Sequence, residues 1–315
     1  MTVPVLVVGE ALVDIVGNGA KTTRHSNGRT NATPGGSPAN VAVGLARLGV
    51  PTELVTRIGT DPYGDQLGAH LFGNGVQLAP GSVDPGFRTS TATATLNAAG
   101  VASYQFDITW EPPALSLSRG CPAIHTGSIA TVLEPGADAI HEFLKSVAGQ
   151  PVTVTLDPNA RPTITPDPES TWSAVRALAA LSDLVKLSDE DCEFLRPGLS
   201  PEDIAAELLT ADRTQCVVIT RGGDGAIGMS RDARVEVPAP VTEVVDTVGA
   251  GDSFMSALIA GLHARGLLGA TRLAGLTFED LRNVVDYAVK AAAITCTRHG
   301  ADPPTAAEHT AKWGS

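Results

Sequence analysis

The sequence predicts an α/β fold: a mainly parallel central sheet covered by helices on both faces, with a small second β-sheet set beside it. Three observations carry that expectation. From residue 121 onward, short aliphatic runs alternate with helical stretches, a pattern that requires right-handed crossovers and parallel pairing. Residues 88–106 instead alternate small and polar side chains around an Asn97-Ala-Ala-Gly100 turn, which suits an exposed hairpin. Two glycine-bearing turns, Gly35-Gly36 and Gly249-Ala250-Gly251, each lead into an apolar helix and leave the backbone open to a ligand.

At 315 residues the chain is long enough for one large domain, and its 33 Gly and 22 Pro imply many tight turns between short elements. The net charge of −12 argues against nucleic acid as the main partner, although a nucleotide needs only local donors. Cys121, Cys192, Cys216 and Cys296 lie far apart without metal-binding spacing, so reduced, buried thiols in a cytoplasmic protein are expected. Glu10 and Asp14 interrupt the N-terminal apolar run too early for a signal peptide, and no run approaches transmembrane length. Neither a membrane nor nucleic acid is therefore an expected partner.

Val3 to Val8 reads as a buried strand that delivers Glu10 and Asp14 just beyond its end, where open α/β sheets bind ligands. Residues 18–32 are polar and irregular. Next, Ser37 suits a helix N-cap, Pro38 the first helical position, and Gly49 the C-terminal end. Asn40 in the first turn points its amide at the space left by Gly35 and Gly36. Glu53 to Gly59 reads as a strand, followed by a helix to about Phe72. The hairpin of 88–106 forms a small lid or dimerisation sheet inserted in the main domain, on which Tyr104 and Phe106 can cover a ligand or pack against the parent domain. Strands follow near 121–125, 152–156, 183–187 and 215–220, with helices near 134–148, 170–181 and 201–211. The segment 226–237 is an antiparallel edge, and helices over 250–266 and about 278–297 finish the pattern.

Polar residues gather after these strands: Asp157, Asn159 and Arg161; Lys186, Ser188 and Asp191; Thr220, Gly222 and Gly225. Successive strand ends share one crevice. The stretch Asp246-Thr-Val-Gly-Ala-Gly-Asp252 faces the same edge and makes an anion site at a helix start. A carboxylate there repels phosphate, so Asp252 either takes a proton from a hydroxyl attacking phosphorus or simply caps the helix.

Gly35-Gly-Ser-Pro-Ala-Asn-Val-Ala-Val-Gly-Leu-Ala-Arg-Leu-Gly49 and Asp246-Thr-Val-Gly-Ala-Gly-Asp252 resemble the two signature motifs of the ribokinase-like (PfkB) carbohydrate kinases. Gly9-Glu-Ala-Leu-Val-Asp14, Arg57-Ile-Gly-Thr-Asp61, Thr220-Arg-Gly-Gly-Asp-Gly225 and Thr295-Cys-Thr-Arg-His-Gly-Ala301 extend the similarity, in order, over nearly the whole chain. The resemblance implies one three-layer α/β/α kinase domain over 1–315, with lid insertions drawn from about 15–33 and 87–110. It also implies ATP and Mg²⁺ as cofactors and phosphorylation of a sugar hydroxyl. Asp252 matches the catalytic base, and Gly249, Ala250 and Gly251 the anion hole. Asp14, Gly35, Gly36, Asn40, Phe106 and Arg161 match the sugar side. Lys186, Ser188, Thr220, Gly222, Gly225 and Gly300 match the nucleotide side, and Asp246 a monovalent-cation loop that would take K⁺.

Two positions depart from the family. Ser188-Asp-Glu-Asp191 stands where many members carry Asn-x-x-Glu, so a shorter Asp191 would hold Mg²⁺ through water. Pro304 stands where the cation loop often supplies a hydroxyl. The Gly9–Asp14, His125–Ser128 and Asp157–Arg161 segments look most like fructokinases, while Arg161 also suits 2-keto-3-deoxygluconate, with ribose as a further alternative. A non-catalytic sugar-binding protein of the same fold, and a module pairing two subunits through the lid edge, are the readings of other classes.

Overall fold

The computed structural model describes residues 3–18, 32–96, 102–269, 273 and 275–314. The chain opens with β1 (Val5–Val8), four buried aliphatic residues, then leaves the large sheet for β2 (Leu12–Asn18) of a second one. β3 (Ala32–Gly35) pairs antiparallel with β2, and α1 (Ser37–Arg47) brings the chain back. β4 (Thr52–Val55), α2 (Pro62–Gly73) and the two-residue β5 (Gln77–Leu78) complete one edge of the large sheet. β6 (Thr91–Leu96) and β7 (Ala102–Asp107) are the expected hairpin, with β6 also parallel to β2. Its turn, most of the 15–33 insertion and the side chain of Tyr104 lie outside the described residues.

The alternation then runs as β8 (Ala123–Gly127), a 3-10 turn (Ser128–Thr131), α3 (Gly136–Ser146), β9 (Thr153–Asp157) and α4 (Pro168–Ala179). It continues through β10 (Leu184–Ser188), α5 (Asp189–Leu195), α6 (Pro201–Leu208) and β11 (Cys216–Thr220). β12 (Ala226–Ser230) and β13 (Arg234–Val237) add the antiparallel edge. α7 (Ala250–Ala264), α8 (Phe278–Thr295) and α9 (Ala306–Trp313) follow.

The large sheet has nine strands in the order β13-β12-β11-β10-β9-β8-β1-β4-β5, and the small one four in the order β3-β2-β6-β7. Alternate residues of each central strand feed two cores. Val5 and Val7 join Leu45 of α1, Leu258 of α7 and Val285 of α8, whereas Leu6 and Val8 join Leu144 of α3, Val175 of α4 and Ile204 of α6. Each such buried aliphatic side chain contributes about 1.5–3 kcal/mol, so the three layers rest on the strand pattern itself. The small sheet rests on the large body through Leu12, Ala92 and Ile129, with Phe106 packed against them. Among the described residues no helix is long and apolar enough to cross a membrane.

Several sequence expectations need correction. The strand over Glu53–Gly59 ends at Val55, because Thr56 and Ile58 turn their amides to Ser82. Residues 19–31 of the stretch 18–32, expected to be irregular, lie outside the described residues; its two ends, Asn18 and Ala32, belong to β2 and β3. α9 is an additional helix whose start is fixed by a Thr305–Glu308 capping box in a mostly polar segment, where hydrophobic periodicity gives no signal.

Candidate active site

α7 begins at Gly249, which adopts a left-handed conformation (φ 74°) and has no side chain to cap the helix. A Cβ there would lie 2.5 Å from that of Ala301, so the turn closes only with glycine. Asp252 sits in the first turn, 8% exposed, and does not cap its own helix. Both of its oxygens reach α1: Ser37 Oγ donates to Oδ1 at 2.6 Å and Asn40 Nδ2 to Oδ2 at 2.8 Å. The N-cap alternative for Asp252 is thereby excluded. Ser37 is likewise not the N-cap of α1; Gly36 (φ 99°) takes that position and leaves the serine hydroxyl for Asp252.

Behind this turn Lys186 Nζ donates to Asp157 Oδ2 at 3.0 Å, both side chains buried. The ammonium would stand 3.1 Å from a Cβ on Gly251, so a cation lies directly against the helix mouth. Burial penalises that charge, but Asp157, Asp191 and Asp252 outweigh it and raise the Lys186 pKa. Burial also pushes Asp157 up to about 6 against the pull of Lys186. The neighbouring imidazole of His125 is pushed down to about 3 by burial and by Lys186, so it is neutral there. The Ala250 amide donates to the Thr247 carbonyl at 3.2 Å. A helix N-terminus beside a fixed ammonium can stabilise transferred phosphoryl oxygens, and an adjacent carboxylate can accept a proton.

The family profile of the pfkB carbohydrate kinases matches residues 4–308. The chain belongs to that family. Relatives of this kinase include a fructokinase of Rhizobium leguminosarum bv. trifolii, 34% identical over 90% of this chain and 86% of the relative. A fructokinase of Escherichia coli is 30% identical over 96% and 95%. Among solved structures, the Xylella fastidiosa fructokinase with bound ATP superposes with a TM-score of 0.84 at 25% identity, covering 98% of this chain and 97% of that one. A Vibrio cholerae O395 fructokinase double mutant with fructose, ADP and potassium superposes at 0.76 and 26% identity, covering 95% and 94%.

Asp14 projects from β2, and a Cβ on Gly35 of β3 would collide with its Oδ2. The protein around Asp14 raises its pKa, opposed by the Arg161 guanidinium across the cleft. Arg161 itself is exposed and donates to the Ala160 carbonyl at 3.2 Å. Phe106 is half-buried in the small apolar cluster with Leu12 and Ile129. Asp14 thus lies against Gly35 and within the field of Arg161, Ser37 and Asn40 hold Asp252, and Phe106 packs with Leu12 and Ile129.

Thr220 ends β11, and Gly222 (φ 49°) and Gly225 (φ 90°) shape the turn after it. Asp246 Oδ2 accepts from Gly300 N at 2.8 Å and Oδ1 from Val248 N at 3.1 Å, tying the two loops together. Ser188 and Asp191 bond each other as the capping box of α5, and the remaining Asp191 oxygen accepts from Ala160 N at 2.7 Å. Sequence reasoning missed Ser37 as a partner of Asp252, and Asp157 as the partner of Lys186. The only signal for the first was a serine beside two glycines, and for the second an acidic residue and a lysine ending adjacent strands.

Proposed function

We propose that this kinase is an ATP-dependent fructokinase, transferring the γ-phosphate to the primary hydroxyl that yields fructose 6-phosphate. The observation that carries the reading is the Asp252 carboxylate, oriented by Ser37 and Asn40 beside the Gly249–Gly251 amides and Lys186. Asp252 accepts the hydroxyl proton through a lone pair left free by those two donors. The amides of Gly249, Ala250 and Gly251 and the Lys186 ammonium stabilise charge on the transferred oxygens. Asp14, Gly36, Asn40 and Arg161 hold the sugar; Thr220, Gly222, Gly225 and Gly300 hold the nucleotide.

Among the described residues no group of three or more His, Cys, Asp or Glu could hold a metal ion. The buried Asp157 Oδ1 has no hydrogen-bond partner, and it lies close enough to Asp191 to feel that carboxylate's charge. Asp157 Oδ1 fits a hydrated Mg²⁺ taking most of its ligands from water and phosphate, whereas both Asp191 oxygens already accept, from Ala160 N and from Ser188 N and Oγ, so Asp191 would act on the ion through its charge alone. When bound, Mg²⁺ supplies charge neutralisation to the phosphates. For K⁺ the fit is thinner: both Asp246 oxygens already accept amides and Pro304 offers no hydroxyl, so no step is assigned to it.

The exposed Arg161 guanidinium would equally suit a carboxylated sugar such as 2-keto-3-deoxygluconate. Pairing of two copies through an open edge of the β3-β2-β6-β7 sheet, and residence in the cytoplasm, complete the proposal. The test is a coupled assay with ATP and fructose, ketodeoxygluconate, ribose and adenosine. Fructose should give the highest kcat/KM; preference for another acceptor reassigns the substrate, and binding of sugar and ATP without transfer rules out the enzyme.

A further inference from the structure

Two of the connections between the sheets cross at one point. β1 passes to β2 through Gly9 and Glu10, and β3 passes to α1 through Gly36. They are in close contact: a Cβ on Gly36 would stand 2.7 Å from the Glu10 carbonyl oxygen, and one on Gly9 would collide with Pro38. The second connection continues directly into Ser37 and Asn40, which orient Asp252. The Glu10 side chain is 3% exposed and runs into the large body, where Ala130 N donates to Oε2 at 3.0 Å. Ser128, whose hydroxyl also bonds it, starts that turn in the left-handed region (φ 55°), a conformation that serine holds only when its surroundings fix it. Oε1 is buried without a partner.

A carboxylate in such a place would be a buried charge with two neutral donors, one oxygen unpaired and no cation among the groups acting on it. The Ser128–Thr131 turn offers only neutral groups, the start of α1 offers Ser37 and Asn40, and α7 offers Asp252, whose charge repels a second anion. We propose that Glu10 is a positioning residue that works as an uncharged carboxylic acid, pinning the crossing of the two sheet connections to the Ser128–Thr131 turn. Loss of the proton places a buried anion there with Oε1 unpaired and Asp252 repelling it; the Ala130 and Ser128 donors favour the anion but do not offset its burial, and the resulting displacement passes through Gly36 to Ser37, Asn40 and Asp252. Burial, with repulsion by Asp252 adding to it, raises the Glu10 pKa to about 8, which places that event just above neutrality.

The inference rests on the kinase reading for its activity assay, and a stability assay separates the two. Glu10→Gln keeps the shape and is always neutral. We expect it to retain turnover within about 3-fold at pH 7 and to lack the alkaline decline that the unaltered kinase shows as pH passes about 8. Glu10→Ala should lose roughly 10-fold or more in kcat and raise the sugar KM. In thermal melts, a carboxyl whose folded pKa is raised stabilises fully below its ordinary value of 4.5 and loses that contribution as pH rises through about 8. The melting temperature of Glu10→Gln relative to the unaltered chain should therefore climb between pH 5 and pH 9. Equal loss of turnover in Glu10→Gln and Glu10→Ala, or a melting difference that does not change with pH, would overturn the proposal. Absence of any sugar phosphorylation by the unaltered chain would sink the kinase reading, leaving the melting experiment to decide the role of Glu10.

Discussion

Asp252 receives its two hydrogen bonds from residues 215 and 212 positions earlier, so its orientation depends on the fold and not on its own helix. Replacing it by asparagine keeps the size and one of the two acceptors but removes the base, and its amide nitrogen can bond only by donating back to the Ser37 hydroxyl. Turnover should fall by about 10²–10⁴-fold with sugar KM nearly unchanged, measured by steady-state kinetics. Ser37→Ala removes one charge-assisted bond and leaves the base, so a smaller loss, roughly 10- to 100-fold, is expected. A Ser37→Ala enzyme as inactive as Asp252→Asn would show that the hydroxyl does more than orient. Lys186 permits a test with pH. In Lys186→Met, Asp157 loses its partner while buried, and at pH 8 it must either stay charged or take a proton against the solution. Its folded pKa is already raised, to about 6, so below that value it is neutral with little penalty. Chemical denaturation should therefore find the variant more destabilised at pH 8 than at pH 5; a pH-independent loss would mean that Asp157 carries no charge in the native kinase.

The start of α7 is where local and distant information meet. Gly249 could be read from the sequence as a flexible turn residue, but the reason for glycine is Ala301, which arrives from the far side of α8. Gly249→Ala adds both the left-handed strain and that collision, about 1–3 kcal/mol for the conformation alone, and it shifts the amides proposed to face phosphate. ATP KM should rise more than sugar KM in this variant; the reverse ranking would place the phosphates elsewhere. The same division explains what the sequence showed. Aliphatic runs such as Cys216–Thr220 and the edge pair β12 and β13 were legible because strand burial is written in adjacent residues. Gly249, Gly251 and Asp252 were legible as a helix start because helix starts have local signatures. Ser37 was misassigned because Ser-Pro before a helical run satisfies every local rule for a cap, while its partner lies in another helix. Ser188 and Asp191 carry two local readings at once: their place after β10 suggested ligand work, and their spacing is also that of a capping box, whose bonds form.

Residues proposed to hold the sugar are divided between two bodies. Asp14 and Gly35 lie on the small sheet, whereas Arg161 and Asp252 belong to the large one, with Gly36 and Asn40 at the junction. A sugar that touches both should draw the small sheet onto the large body, whereas ATP touching only the large body should not. This division predicts an order of events: closure follows the sugar and completes the water-free site only when an acceptor is present. Amide hydrogen exchange in β6 and β7 should slow when fructose is added with a non-hydrolysable ATP analogue, and should stay unchanged with the analogue alone. The same logic fixes the side reaction. With the sheet open, water reaching Asp252 has nothing to hold it in line with the γ-phosphate, so hydrolysis of ATP without sugar should run below about 1% of the sugar-dependent rate. Exchange that slows with the nucleotide alone, together with substantial sugar-free hydrolysis, would mean that the large body assembles the reacting site by itself. The small sheet would then serve specificity or subunit pairing, and Asp14 would have to act on an already competent kinase.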